Sequence, residues 1–82
     1  MKTFADLKFK EHKLDSTAVQ ARLDFDNGTF ISVIGGGTFY GDGKETFEVY
    51  STVTKRKAAW AQVDGWLDKK RITARMRYLQ SL

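Results

Sequence analysis

Val19-Gln20-Ala21-Arg22-Leu23-Asp24-Phe25-Asp26-Asn27-Gly28-Thr29-Phe30-Ile31-Ser32-Val33-Ile34 is the stretch that decides the fold. Val19, Ala21, Leu23 and Phe25 alternate with Gln20, Arg22 and Asp24, the period-two pattern of a strand with one buried face. Asn27 and Gly28 tolerate positive φ, which a two-residue type I′ hairpin demands. Such a turn sets Asp26 opposite Thr29 and Phe25 opposite Phe30. The returning strand is apolar on both sides, Phe30 and Ile34 on one and Ile31 and Val33 on the other, as expected of a central strand.

Outward from the hairpin, Gly35-Gly36-Gly37 ends the second strand and Gly41-Asp42-Gly43 forms another turn. Thr38 to Tyr40 reads as a short extended piece or part of a wide loop. Residues 46 to 54 form a strand with Phe47, Val49, Ser51 and Val53 on one face, and a weaker strand is expected near Phe4 to Phe9. Between Lys55 and Gly65 the reading stays open: Ala58-Ala59-Trp60-Ala61 tolerates helix, but Gly65 stops it early. A terminal helix follows, with Asp68 as N-cap and Leu67 stapling onto Ile72. Ile72, Met76 and Leu79 recur at i, i+4, i+7 and give that helix one apolar face.

These elements predict one α+β domain over residues 1–82, a three- to four-stranded antiparallel β-meander with one C-terminal amphipathic α-helix packed on the sheet. The expected core is Val19, Leu23, Phe25, Phe30, Ile31, Val33, Phe47, Val49, Trp66, Leu67, Ile72, Met76 and Leu79. A chain of 82 residues buries only about 60% of the surface its unfolded form exposes, so each core residue counts. There is no cysteine, which removes disulfides and thiolate metal sites. No apolar run approaches the ~20 residues that span a bilayer. The first residues, Met1 to Lys8, carry charges where a signal peptide needs an apolar stretch. The expectation is a soluble cytoplasmic protein with no cofactor, the host cell's cytoplasm if it is phage-encoded.

Charge is unevenly distributed. Up to Tyr50 there are six Lys/Arg against eight Asp/Glu; from Ser51 onward there are eight against only Asp64 and Asp68. A basic second part of this kind points to a polyanionic partner, nucleic acid or an acidic protein surface. Lys69, Lys70 and Arg71 open the terminal helix at the positive pole of its macrodipole, where each cation costs about 0.3–1 kcal/mol. Residues set against local propensity are where function is expected. The competing account is that a charged helix face merely solubilises the chain.

Other chemistries fit less well. His12 is the one histidine and has no nucleophile spaced to use it. Asp24 and Asp26 are two apart on one strand, which a solvated hairpin tip explains without acid–base chemistry. Asp24-Phe25-Asp26-Asn27-Gly28 grazes a calcium loop, but its glycine comes one place early and no bidentate Glu follows. Gly35 to Lys44 is glycine-rich, yet Thr38 stands where a P-loop needs its first glycine and Glu45 where it needs Ser or Thr.

The run from Gln20 to Ile34, the Tyr40-Gly41 turn, the Glu48-Val49 strand and Val63-Asp64-Gly65-Trp66-Leu67 before the last helix together resemble a group of small phage and prophage proteins of unknown function. The resemblance covers most of the chain after Ala18. It implies a compact sheet with a C-terminal helix, an accessory role in a mobile element, and no catalytic residues. Those proteins begin the last helix with acidic residues; here it reads Lys69-Lys70-Arg71.

The function expected from these features is a non-enzymatic binding module that engages nucleic acid or a nucleoprotein through Lys55, Arg56, Lys57, Lys70, Arg71, Arg75 and Arg77. An alternative is a phage-type inhibitor of a host protein, docking through the Gly35–Lys44 loop (Phe39, Tyr40, Lys44) and Trp60. A homodimer formed through an uncovered sheet edge is a third.

Overall fold

The alternating and apolar runs become a five-stranded antiparallel sheet in the order β1-β2-β3-β4-β5. In this computed structural model the described residues are 1–14, 16–37, 41–52 and 64–82. Among the described residues the strands are β1 (Lys10–Glu11), β2 (Ala18–Asp24), β3 (Phe30–Gly36), β4 (Thr46–Ser51) and β5 (Asp64–Asp68), and one α-helix, α1, spans Lys69–Gln80. The α+β class and the C-terminal helix are as expected. The sheet has one strand more than the upper expectation. The strand expected near Phe4–Phe9 is instead a 3-10 turn at Phe4–Asp6 followed by the two-residue β1.

Cross-strand pairing sorts the residues onto two faces. Ala21 opposes Val33, Leu23 opposes Ile31, and Val33 opposes Val49. This face joins α1 in one buried cluster that includes Leu7, Phe25, Phe47, Ile72, Met76 and Leu79. Ile31, Val33, Val49, Ile72, Met76 and Leu79 are fully buried, each worth about 1.5–3 kcal/mol of transfer free energy. Phe4, Phe9 and Phe47 close one end of the cluster with ring centroids 5.3–5.6 Å apart. Gly35 makes room for this: a Cβ there would lie 2.5 Å from Gly43 Cα and 2.8 Å from the Phe47 ring.

The hairpin departs from the expected register. Phe25 N donates to Thr29 O at 2.8 Å, Gly28 N donates to Phe25 O at 3.2 Å, and Asp24 is the residue opposite Phe30. The loop therefore has three residues, Asp26-Asn27-Gly28, and only Gly28 takes positive φ, +85°. That is a turn closed by a left-handed glycine bulge rather than a type I′ turn. A one-residue change of pairing moves a side chain to the other face, so Phe30 lies opposite the helix side instead of beside Phe25. Phe30, Val19, Leu23 and Leu67 are only half-buried, Ala21 is buried as its place in the alternation requires, and Ala18 and Leu7 take core places not expected for them.

The reason for the longer loop lies in the helix. Asn27 Nδ2 donates to Leu79 O at 2.8 Å and to Leu82 O at 3.2 Å, and the Thr29 hydroxyl, within 2.7 Å of Asn27 Oδ1 and 3.2 Å of Leu79 O, can give its one proton to either. The hairpin tip thus satisfies carbonyls that a helix end leaves without partners. At the other end the Asp68 carboxylate accepts from Arg71 N at 2.8 Å, the N-cap expected of it. The amino-terminal segment is laced to the same helix. Phe4 N donates to Thr73 Oγ1, and Lys2 and Gln80 exchange two 2.8 Å hydrogen bonds.

Candidate nucleic-acid interface

The face of α1 turned away from Ile72, Met76 and Leu79 carries Lys70, Ala74 and Arg77 at i, i+4, i+7, with Arg71 and Tyr78 along one flank. All five are exposed, and Tyr78 keeps 49% of its surface open. The helix holds Lys69, Lys70, Arg71, Arg75 and Arg77 and no carboxylate. Lys70, Arg71 and Arg77 make no ion pair with a described residue. Beside them Lys69, Lys70, Thr73, Ala74 and Arg77 line an open groove of about 440 Å³. Lys69 reaches back, its Nζ 5.8 Å from the centre of the Phe4 ring.

Arg75 does not belong to this face. It is 9% exposed, and its Nη1 donates to Ser51 Oγ of β4 at 3.4 Å. At three residues from Ile72 and four from Leu79 it falls on the core side of the helix, where it ties helix to sheet. Its expected role as a phosphate ligand is corrected accordingly. Lys55, Arg56, Lys57, Phe39, Tyr40 and Trp60 lie outside the described residues. Lys44 is exposed, and its backbone rather than its side chain has a structural part, its amide donating to Asp42 Oδ1 at 2.8 Å.

That bond belongs to a tight loop. The amides of Lys44, Thr46 and Glu45 all converge on Asp42 Oδ1. These backbone hydrogen bonds, that of Lys44 foremost, hold the Asp42 carboxyl at about 2, against an ordinary 3.8. The turn expected at Gly41-Asp42-Gly43 is thus closed around one carboxylate.

Trp66 overturns its expected place in the core. It is 60% exposed and is the one described non-glycine residue at positive φ, +60°. Phe47 opposes Leu67 and Val49 opposes Asp64, so Glu48 alone faces both Gly65 and Trp66. This is a β-bulge in the edge strand β5. Its strained position is one that glycine normally fills, and an L-residue there costs about 1–2 kcal/mol. Trp66 is followed at once by Leu67, which packs on the core, and Asp68, which caps the helix. The exposed ring is therefore attached to the start of the basic helix by two fixed residues.

A second basic cluster lies at the other edge. Lys8, Lys10, Lys13 and Arg22 surround Glu11 and Gln20 in a groove of about 400 Å³. Arg22 pairs with Asp24 at 3.1 Å and stands 4.4 Å above the Phe30 ring, itself 5.4 Å from that of Tyr50. Lys8, Lys10 and Lys13 were legible as charges in sequence, but their meeting with Arg22 depends on Lys10 pairing with Gln20. On the same sheet face Glu48 is buried, and loss of water pushes its carboxyl up from the ordinary value.

Among the described residues no group of three or more His, Asp or Glu side chains is arranged to hold a metal ion, and no helix is long and apolar enough to cross a membrane. No family model, curated protein or solved structure matches this chain.

Proposed function

We propose that this chain is a non-enzymatic binding module that engages nucleic acid through the outer face of α1, as an accessory protein working in the cytoplasm. The observation that carries this reading is the exposure of Lys70, Arg71 and Arg77 together, without ion-pair partners among the described residues, on a helix that has no acidic side chain. Unpaired surface cations attract a polyanion and release its counterions on contact. Phosphate contacts position such a protein without selecting a sequence. Tyr78, two turns along the same flank as Arg71, adds an amphipathic ring to the same surface.

The test is fluorescence anisotropy with mixed-sequence oligonucleotides across a salt series. Each phosphate neutralised contributes about −0.9 to the slope of log K against log salt on duplex, and about −0.7 on single strands. The variant Lys70→Ala/Arg71→Ala/Arg77→Ala is expected to flatten the slope by roughly 2 to 3 while leaving thermal stability in place, because these side chains are outside the core. Affinity that does not change with salt would reject the reading.

A further inference from the structure

We infer that Trp66 is a base-stacking residue and that the preferred ligand is therefore single-stranded nucleic acid. The inference rests on the proposed α1 interface and adds a substrate class to it. Three observations support it. First, a large apolar ring is held 60% exposed at the edge of the sheet, although its hydrophobicity favours burial. Second, the ring sits at φ +60° in a bulge, a conformation glycine adopts without strain, so the backbone gains nothing by having tryptophan there. Third, the ring is three residues from Lys69 and four from Lys70, on a rigid strand-to-helix junction with no intervening loop. The amides of the helix start are not the site, because Asp68 already caps Arg71 N.

Chemistry then selects the ligand. Cations alone attract any polyanion, duplex included. An exposed indole three residues before the first of them in the chain offers a π-face to an unpaired base, which a duplex keeps within its own stack. Stacking tolerates every base, so the expected binding is tight on single strands and indifferent to sequence. A peptide strand added to β5 is the less favoured occupant, since a bulge interrupts the regular ladder that edge addition requires.

The experiment compares fluorescein-labelled oligo-dT with a blunt duplex of equal length, using the full chain and the variants Trp66→Ala, Trp66→Phe and Trp66→Gly. Wild type is expected to prefer the single strand. Trp66→Ala should weaken oligo-dT binding by about 5- to 150-fold, the range that loss of one stacked base gives. Trp66→Phe should restore most of this, and duplex affinity should stay unchanged in every variant. Trp66→Gly should lose oligo-dT binding while its melting temperature does not fall, which separates loss of contact from loss of fold. Wild-type binding to neither oligonucleotide would overturn the α1 interface and this inference with it. Binding that survives Trp66→Ala unchanged, or a loss equal on both oligonucleotides, would overturn the stacking role alone.

Discussion

Replacing Asn27 tests how the hairpin and the helix hold each other. Its side chain donates to Leu79 O and Leu82 O and accepts from Thr29 N and Thr29 Oγ1. A net hydrogen bond is worth about 0.5–1.5 kcal/mol. Water can replace Asn27 at the exposed Leu82 carbonyl, and the single Thr29 hydroxyl proton, released from Asn27 Oδ1, can turn to Leu79 O at 3.2 Å. The Asn27→Ala loss therefore reduces to about one bond at the helix end and one within the turn, or about 2 kcal/mol. For a domain of this size that is a fall of roughly 8–16 °C in melting temperature. Asn27→Asp keeps the acceptor for Thr29, removes the donor, and sets a negative charge against the negative pole of α1, adding about 0.3–1 kcal/mol. Urea and thermal unfolding followed by circular dichroism at neutral pH measure both. A pH series adds a sign: protonating the new Asp should recover part of its loss below about pH 4. If Asn27→Asp is harmless, the tip does not cap the helix and the two-residue turn is the better description. If Asn27→Ala costs less than about 0.5 kcal/mol, the hydrogen bonds to Leu79 and Leu82 are not formed in solution.

Gly28→Ala and Gly35→Ala separate conformational strain from lack of space. Nothing lies within 4 Å of a Cβ at position 28, so only positive φ opposes the alanine, at about 1–2 kcal/mol; at position 35 the Cβ meets Gly43 backbone at 2.5 Å, and the cost should reach about 3 kcal/mol or prevent folding. Equal losses in chemical denaturation would contradict this. Glu48→Gln is expected to be at least as stable as wild type at neutral pH. Burial raises the Glu48 pKa, so the folded state holds its proton the more tightly and wild type loses stability as pH rises through that raised value. The advantage of Gln should shrink toward acid, and a variant weaker than wild type at neutral pH would refute the burial argument. Asp42 has the opposite sign. Its lowered pKa stabilises the fold above the ordinary 3.8 and the contribution is lost as pH falls toward about 2, so Asp42→Ala should remove that part of the acid transition and speed amide exchange at Lys44, Glu45 and Thr46. Unchanged exchange at these amides would show that the carboxylate does not organise the loop.

Much of the architecture was legible because it depends on local pattern. Val19 to Phe25 alternate, Ile72, Met76 and Leu79 recur at helical spacing, and Asp68 is a cap by type and position; all of these place the strand, the apolar face and the helix start. The hairpin register was not legible. Asp26-Asn27-Gly28 suits a two- or a three-residue loop, and the choice follows from Asn27 reaching Leu79, 52 residues away. Strand β1 is two residues long, too short for any periodic signal. On the site, Lys70, Arg71 and Arg77 could be assigned to a solvent face from the helical repeat alone. The same repeat sets Arg75, three residues from Ile72 and four from Leu79, on the core side; what the sequence did not show is its partner, Ser51 in a different element. Trp66 misled because hydrophobicity forecasts burial, whereas its exposure follows from a bulge in the backbone of β5.

Two departures from local preference meet in this chain, and their adjacency is the argument for function. Lys69, Lys70 and Arg71 stand where a helix favours acids, and Trp66 stands where a bulge favours glycine. Each costs on the order of 1 kcal/mol, in a domain whose whole stability is of the order of 5–15 kcal/mol. The fold can bear them because α1 does not rely on its own propensity. Asp68 caps its start, Asn27 and Thr29 hold its last carbonyls, and the amino-terminal segment is bonded to Thr73 and Gln80. A helix fixed from three directions can present cations that it would not sustain alone. Packing needs neither the exposed ring nor the basic first turn: Ile72, Met76 and Leu79 complete the core without them. If both features were structural, substitutions toward local preference, Trp66→Gly and Lys70→Glu, would destabilise the protein. The geometry requires the reverse, stability kept or gained while binding is lost, and that opposition is the signature of a surface retained for a ligand.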